Sequence, residues 1–305
     1  MSTEQSIGQT QMAFWGMFGT SVRGIVGPAA LLVLGYLCWT FWGAQVVDRT
    51  YFSLKFENIK VTPQPVWIKS EVAKEVYEGS FLKGVSLLDR NAASTIANAF
   101  DLHPWVKRTN RVTKLPGGEV QVDLEYRQPI AMVGLDPATP TERRRSEVEK
   151  IAEDKWRFIP IDSEGVILPH DDKQQTYRLN DYLLVYAMGT STTSFVGQPF
   201  GDSRIHDAVK LCVLLNPLRR ELNIERIYVR EVPLGSGRKD FLLDVATRPT
   251  ESGEQRRVTW GHAPETEAPG ESDIKTKLQR LYQFFSSDRP TSHSIDISGL
   301  KSTAG

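Results

Sequence analysis

The amino-acid sequence predicts an α+β protein with one apolar N-terminal helix followed by two mixed units. Three observations support this class. An uncharged apolar run covers residues 24–44, and one strand, two helices and a hairpin are predicted within residues 56–126. Further alternating runs and two amphipathic helices fill most of the remainder. A chain of 305 residues has room for about two domains.

The composition excludes several classes of protein. The hydrophobic fraction of 40% and the charged fraction of 24% are ordinary for a globular chain. Lys plus Arg and Asp plus Glu number 37 each, so the formal net charge is zero, whereas a nucleic-acid-binding surface needs a basic excess. The two cysteines, Cys38 and Cys212, are too few for a disulfide framework or a four-thiolate zinc site.

The apolar run at residues 24–44 is predicted to be a single transmembrane helix. As a helix it would be about 30 Å long, which is the thickness of a bilayer core. Trp39 and Trp42 near its end suit the membrane interface. A cleaved signal peptide is the main alternative, but the run is longer than a typical signal and lacks a small-x-small cleavage pattern. The few flanking Lys and Arg residues leave the orientation open.

The chain after this run predicts the element order β-α-α-β-β. Residues 56–61 read as a short strand, and residues 70–79 as a helix with Ser70 at its N-cap. Residues 89–100 follow as a second helix. Alternating runs on either side of Pro116-Gly117-Gly118 then predict a hairpin.

A charged stretch, residues 136–155, is predicted to be a solvated insertion or linker. The stretch WRFIPIDSEGVIL, residues 156–168, begins the second domain. Its carboxylates Asp162 and Glu164 could be an acid/base pair or turn residues. No companion residues for catalysis accompany them, and Gly165 is well suited to a turn, so a strand-turn-strand is favoured.

The remaining sequence predicts a mixed α/β unit with a largely antiparallel sheet. The apolar face of the last helix is expected at Ile274, Leu278, Leu281, Tyr282 and Phe285. In chain order the predicted elements are a helix at residues 202–215, strands at 226–232, 240–247 and 256–261, a helix at 273–285 and a closing strand at 293–297.

No catalytic, cofactor or metal site is predicted. None of the five histidines has the spacing of a metal ligand pair. His170-Asp171-Asp172 is the one His/carboxylate cluster within the sequence, and neighbours on an extended chain point apart. Gly235-Ser236-Gly237 lies between two predicted strands, where a turn is favoured over a phosphate loop. The sequence therefore favours a non-enzymatic protein without a small-molecule substrate.

The order of elements and several local motifs resemble the bacterial cell-division family FtsQ/DivIB. That family has a polypeptide-transport-associated (POTRA) domain followed by a β domain. The resembling stretches are FENIKV at 56–61 (first POTRA strand), HPWVKRTNRVTKLPGGEVQVDLEYRQPIA at 103–131 (the family's Pro-Trp-Val, hairpin and Glu-Arg-x-Pro-Val-Ala run), FIPIDSEGVIL at 158–168 (opening of the β domain), residues 258–284 (late helix) and SIDIS at 294–298 (closing strand).

The resemblance implies a domain organisation for the whole chain. It consists of a cytoplasmic tail at 1–23, the transmembrane helix at 24–44, a linker at 45–55, a POTRA domain at 56–128, a β domain at 129–299 that includes the 136–155 insertion, and a C-terminal tail at 300–305.

The resemblance also implies a function. The protein would be a non-enzymatic, single-pass scaffold of the divisome in the inner membrane at the septum, with its bulk in the periplasm. It would bind the division proteins FtsB and FtsL and, through them, control septal peptidoglycan synthases. In the family the last strands of the β domain receive an FtsB segment by strand addition. The contact residues expected here are Ser294, Ile295, Asp296, Ile297, Tyr282 and Phe285.

Two other functions stay open at this point. One is a membrane-anchored POTRA protein of a secretion or envelope-assembly system, although such proteins usually carry several POTRA copies or a barrel. The other is an anchored enzyme such as a hydrolase. Turnover of peptidoglycan or peptides by the chain from residue 46 onward would favour the enzyme.

Overall fold

The computed structural model describes residues 28–43, 52–136, 156–170, 177–233, 239–249, 254–286 and 293–300. The chain divides into two compact units, and together the described residues form one three-stranded and one seven-stranded sheet. Outside the description lie most of the predicted insertion (137–155), Asp171, Asp172 and the Gly235-Ser236-Gly237 triplet. The first unit comprises Met1–Pro63, Ser70–Ala99 and Asn110–Asp123, and the second comprises Gln64–Lys69, Phe100–Thr109 and Leu124–Gly305.

The predicted transmembrane helix at residues 24–44 is wrong. Among the described residues, none of the helices combines the length and the apolar character that crossing a bilayer requires. Residues 28–38 are helical, and Trp39–Gly43 continue as a π-helical turn. A span needs about 20 residues of continuous helix.

The three-stranded sheet has the order β1-β3-β2, with β1 parallel to β3. Two helices, α1 and α2, separate β1 from β2 in the chain, so the predicted order β-α-α-β-β is present. Gly117 and Gly118, at the tip of the β2-β3 hairpin, have φ of +87° and +82°, which glycine adopts without strain. The elements are β1 (Ile59–Val61), α1 (Val72–Gly79), α2 (Ala92–Asp101), β2 (Val106–Lys114) and β3 (Val120–Tyr126).

The start of α1 differs from the prediction. Its N-cap residue is Glu71, not Ser70, and the Glu71 side chain makes no capping hydrogen bond. Val72 and Val76 of α1 are buried, as helical spacing of apolar residues predicts. The helix thus begins one residue later than predicted, with its first residue, Val72, buried.

The seven-stranded sheet has the order β10-β9-β8-β7-β6-β4-β5. Its strands are β4 (Ala131–Leu135), β5 (Arg157–Ile161), β6 (Leu183–Ala187), β7 (Ile224–Pro233), β8 (Lys239–Thr247), β9 (Arg257–Gly261) and β10 (Ser294–Asp296).

The prediction of a largely antiparallel sheet is wrong, because parallel and antiparallel pairings alternate in blocks. The pairs β4/β6, β6/β7 and β9/β10 are parallel, whereas β4/β5, β7/β8 and β8/β9 are antiparallel. Helices α3 (Ser203–Leu215) and α4 (Ile274–Phe285) supply two of the crossovers that parallel pairs need. Strand patterns alone do not reveal which strands are joined in this way.

One face of this sheet packs against α3 and α4 to form the main core. Asp202 caps α3 by accepting a hydrogen bond from the backbone N–H of Arg204, and Asp273 caps α4 through the N–H of Thr276. The apolar face of α3 is buried. The core includes Ile205, Val209, Cys212 and Leu215 of α3, Leu281 and Phe285 of α4, and Val185, Ile227, Val245, Val258 and Trp260 of the strands.

The turn that follows β5, at residues 162–165, is a structural turn. Oδ1 of Asp162 accepts hydrogen bonds from the backbone N–H groups of Glu164 and Val166, both at 2.9 Å, and Gly165 has φ of +74°. Arg127 binds both carboxylates, with its Nη1 donating to Glu164 Oε2 at 3.0 Å and to Oδ2 of Asp162. The two carboxylates are thus occupied by backbone amides and a guanidinium, which supports the turn interpretation.

Candidate partner-binding edge

Strand β10 lies at one end of the seven-stranded sheet. Within the described part of the chain it pairs with β9 alone, in parallel register, with Ile295 opposite Val258. An edge strand presents main-chain groups that another strand can bind. The predicted closing strand therefore forms and occupies the position that strand addition requires.

The hydrogen bonds to β9 determine which backbone groups of β10 face outward. The N–H of Arg257 donates to the carbonyl oxygen of His293 at 2.9 Å, and the N–H of Ile297 donates to that of Thr259 at 3.1 Å. The backbone N–H and C=O groups of the odd-numbered residues in this segment therefore point toward β9. Because alternate residues of a strand direct their backbone groups to opposite sides, the N–H and C=O of Asp296 are directed away from β9.

The side chains of the closing segment divide into exposed and buried groups. Ser294, Ile295 and Asp296 are exposed, and Ile295 retains 41% of its surface. Ile297 is fully buried and belongs to the main core. The structure thus brings three of the four predicted contact residues of this segment to the surface and uses the fourth as an anchor.

The two predicted aromatic residues of α4 also differ in exposure. Tyr282 is 44% exposed, and its hydroxyl donates to Oε1 of Glu221 at 2.7 Å; this hydrogen bond raises the pKa of the phenol. Phe285 is only 8% exposed and packs into the core. A guanidinium N–H of Arg256 donates to the carbonyl oxygen of Phe285 at 3.0 Å. Tyr282 can therefore reach a partner, whereas Phe285 supports the helix.

A short segment after β10 is tied to the loop that precedes α4. The N–H of Ser272 donates to the carbonyl oxygen of Ser298 at 2.7 Å. Nη1 of Arg280 donates to the carbonyl oxygen of Ile297 at 3.3 Å and to Oγ of Ser272 at 3.0 Å. Gly299 has φ of +75°, and a Cβ there would meet Oγ of Ser272. These hydrogen bonds among Ser272, Arg280 and residues 297–298 hold the end of β10, and we call them the anchor of β10.

Next to Ser272 lies a partly buried cluster of charged side chains that sequence reasoning missed. Nδ1 of His262 is 2.8 Å from Oε2 of Glu271, and its Nε2 is 3.0 Å from Oδ2 of Asp240. Nζ of Lys277 donates to Oε1 of Glu271 at 2.7 Å, and the side chains of both residues are fully buried. The cluster joins β8, the loop before α4 and α4 itself. Its members are spread over separate segments of the sequence, so no local motif predicts it.

The protonation states in this cluster follow from its hydrogen bonds. Burial alone would raise the pKa of Glu271, but the bonds from Lys277, the backbone N–H groups of Ala268 and His262, and the imidazole outweigh it and lower that pKa. Burial would lower the pKa of His262, but the carboxylates of Glu271 and Asp240 outweigh it and raise that pKa. Compared with a free histidine, the folded environment of His262 therefore favours the protonated imidazole.

The cluster has the character of a structural ion network. The buried ammonium group of Lys277 donates a hydrogen bond to one carboxylate oxygen of Glu271, and it lies 5.1 Å from the ring centroid of Trp260. Across the described residues, no group of three or more His, Cys, Asp or Glu side chains could hold a metal ion. The sequence signal that could have indicated the cluster is Lys277 itself, a charge between the apolar positions Ile274 and Leu281 of α4.

Comparison with known proteins finds no family model that matches this chain and no curated protein that matches it.

Proposed function

We propose that this chain is a non-enzymatic scaffold of the bacterial divisome that binds an FtsB-like or FtsL-like segment by strand addition to β10. Its resemblance to the FtsQ/DivIB family supports the partner class. A location at the septum, on the periplasmic side of the inner membrane, and indirect control of septal peptidoglycan synthases belong to the same proposal.

The observation that carries the proposal is the exposed edge at β10. The outward N–H and C=O of Asp296 provide a donor and an acceptor for an incoming strand, and Ile295 provides exposed apolar surface beside them. Main-chain hydrogen bonds supply affinity in strand addition, and alternate side chains supply specificity. The anchored Ile297 keeps the strand in place while its outer side binds.

The test is a proline substitution that blocks only the outer edge. Asp296→Pro removes the outward N–H and places a ring where the added strand would lie, while the inward bonds of the neighbouring residues stay. We expect the dissociation constant of a synthetic FtsB-type peptide to rise about tenfold or more, since one lost hydrogen bond costs about 1 kcal/mol and the ring adds steric exclusion. Isothermal titration calorimetry with the full chain provides the measurement.

Asp296→Ala is the matched control. It also loses the carboxylate that accepts hydrogen bonds from the N–H and Oγ of Ser298, at 2.8 Å and 2.6 Å, but keeps the outward N–H. It should bind the peptide within about threefold of wild type, which is less than 1 kcal/mol. Equal affinities of the proline and alanine variants would refute strand addition at β10.

A fluorescent fusion tests the cellular part of the proposal. Enrichment at mid-cell in dividing cells is expected of a divisome scaffold, and an even distribution would count against it. Turnover of peptidoglycan or peptides by the purified chain, abolished by a point substitution, would instead favour an enzyme.

A further inference from the structure

The charged cluster around Glu271 is physically continuous with the anchor of β10. Glu271 accepts hydrogen bonds from the N–H of His262 and the N–H of Ala268, both at 2.8 Å, in addition to those from the His262 ring and from Lys277. The next residue, Ser272, donates its N–H to the carbonyl oxygen of Ser298. Any displacement of Glu271 therefore acts directly on the segment that ends β10.

The packing around Glu271 leaves little room for an alternative position. Gly261, the last residue of β9, has φ of +98°, and a Cβ there would collide with Oε1 of Glu271 and lie 2.9 Å from Cβ of Ser298. Trp260 beside it is fully buried. The carboxylate, the end of β9 and the segment after β10 thus occupy one closely packed region.

We propose that His262, Glu271, Asp240 and Lys277 form a proton-sensitive latch that controls how firmly the β10 edge is held, and hence how readily a partner strand is received. This inference rests on the proposed function for its biological consequence, but the latch itself can be measured without a partner.

The physical basis is the hydrogen-bonding capacity of the imidazole. The charged groups that face His262 are Asp240 on β8 and Glu271 in the loop before α4, while Lys277 on α4 faces the other oxygen of Glu271. A protonated imidazole donates to both carboxylates, whereas a neutral imidazole has a single N–H and can donate to one only. Loss of the proton therefore leaves one of the two carboxylates facing the lone pair of an unprotonated ring nitrogen, where no hydrogen bond can form.

The direction of the pH dependence follows from the shifted pKa values. The pKa of His262 is raised above its ordinary value of 6.5, so its stabilisation is fully present below that value and is lost as pH rises through the folded-state pKa. The pKa of Glu271 is lowered from 4.5, so its stabilisation is present above that value and is lost as pH falls through the folded-state pKa. The anchor is therefore firmest in mildly acidic solution and loosens toward alkaline pH.

Hydrogen-deuterium exchange of the full chain tests the latch. The peptide covering residues 293–300 contains the bonded N–H groups of Ile297 and Ser298. After correction for intrinsic exchange, its protection should fall roughly threefold or more between about pH 6 and pH 8, since one pKa unit corresponds to a tenfold factor. The peptide covering β6 should show no matching fall.

Two variants and one control complete the test. His262→Gln removes the titrating group and should abolish the fall, and Asp240→Asn should shift its midpoint to lower pH. His206→Gln, at an exposed histidine on α3, should leave the fall unchanged. Equal corrected protection of wild type at both pH values, or an unchanged fall in His262→Gln, would overturn the latch. A pH-dependent latch in a chain that binds no FtsB-type peptide would overturn the proposed function alone.

Discussion

Replacement of Lys277 by methionine is the most direct test of the energetic role of the buried cluster. The side chain of Lys277 is fully buried, with Nζ 2.7 Å from Oε1 of Glu271 and 5.1 Å from the ring centroid of Trp260. Lys277→Met keeps an unbranched side chain of similar length, so packing changes little. What is removed is the ammonium that balances a buried carboxylate.

The expected loss of stability depends on the hydrogen bonds that Glu271 retains in the Lys277→Met variant. The carboxylate retains the N–H groups of His262 and Ala268 and the imidazole, and loses one charge-assisted hydrogen bond. Such a bond contributes about 1.5–3 kcal/mol, and breaking a buried ion pair costs about 3–5 kcal/mol. We expect the free energy of unfolding of the second unit to fall by about 3 kcal/mol at pH 8. The fall should be smaller at pH 6, where a protonated His262 supplies the compensating charge.

The measurement is urea denaturation followed by tryptophan fluorescence, with Trp260 as the reporter nearest the substitution. Lys275→Met is the matched control, because Lys275 lies on the exposed side of the same helix and its loss should change stability by no more than about 0.5 kcal/mol. The reasoning is refuted if Lys277→Met costs no more than Lys275→Met, or if its cost is larger at pH 6 than at pH 8.

Two further predictions concern single positions. Gly261→Ala should lower the free energy of unfolding by at least about 2 kcal/mol more than Gly270→Ala in the same urea assay, because both have positive φ but only at Gly261 would the added Cβ collide with Glu271; equal costs would contradict this packing. In native protein, a thiol reagent should modify Cys38 and leave Cys212 unmodified until denaturant is added, since burial raises the pKa of the Cys212 thiol; rapid labelling of both would contradict its burial.

Periodic patterns in the sequence predicted many of the elements, but not all: Phe56–Asn58 of the predicted first strand form a 3-10 helix, and Val166 and Ile167 of the predicted strand-turn-strand form only isolated bridges. Alternation around Pro116-Gly117-Gly118 predicted the β2-β3 hairpin, and the apolar spacing of residues 202–215 predicted the buried face of α3. These patterns succeed because burial of one face imposes a period on the chain itself. The apolar run at 24–44 has no such period, and length and composition alone led to a wrong prediction of a membrane span.

The resemblance predicted the candidate binding edge at the closing strand. It did not predict which side chains hold that strand in place. The sequence indicated a closing strand at residues 293–297, but not that Ile297 would be buried while Ile295 stayed exposed. Ile295 and Ile297 are two positions apart, so alternation places both side chains on the same face of the strand. How much of each is buried depends on how far a helix extends over that face. That helix is α4, which reaches the segment through the Arg280 guanidinium.

The sequence by itself determined the order of strands and helices, the hairpin and the turn chemistry of Asp162 and Gly165, because each depends on residues a few positions apart. Only the tertiary structure decided the mixed pairing of the sheet, the edge position of β10 and the cluster that joins Asp240, His262 and Glu271. These features depend on contacts between segments far apart in the chain, and no local pattern encodes which segments meet.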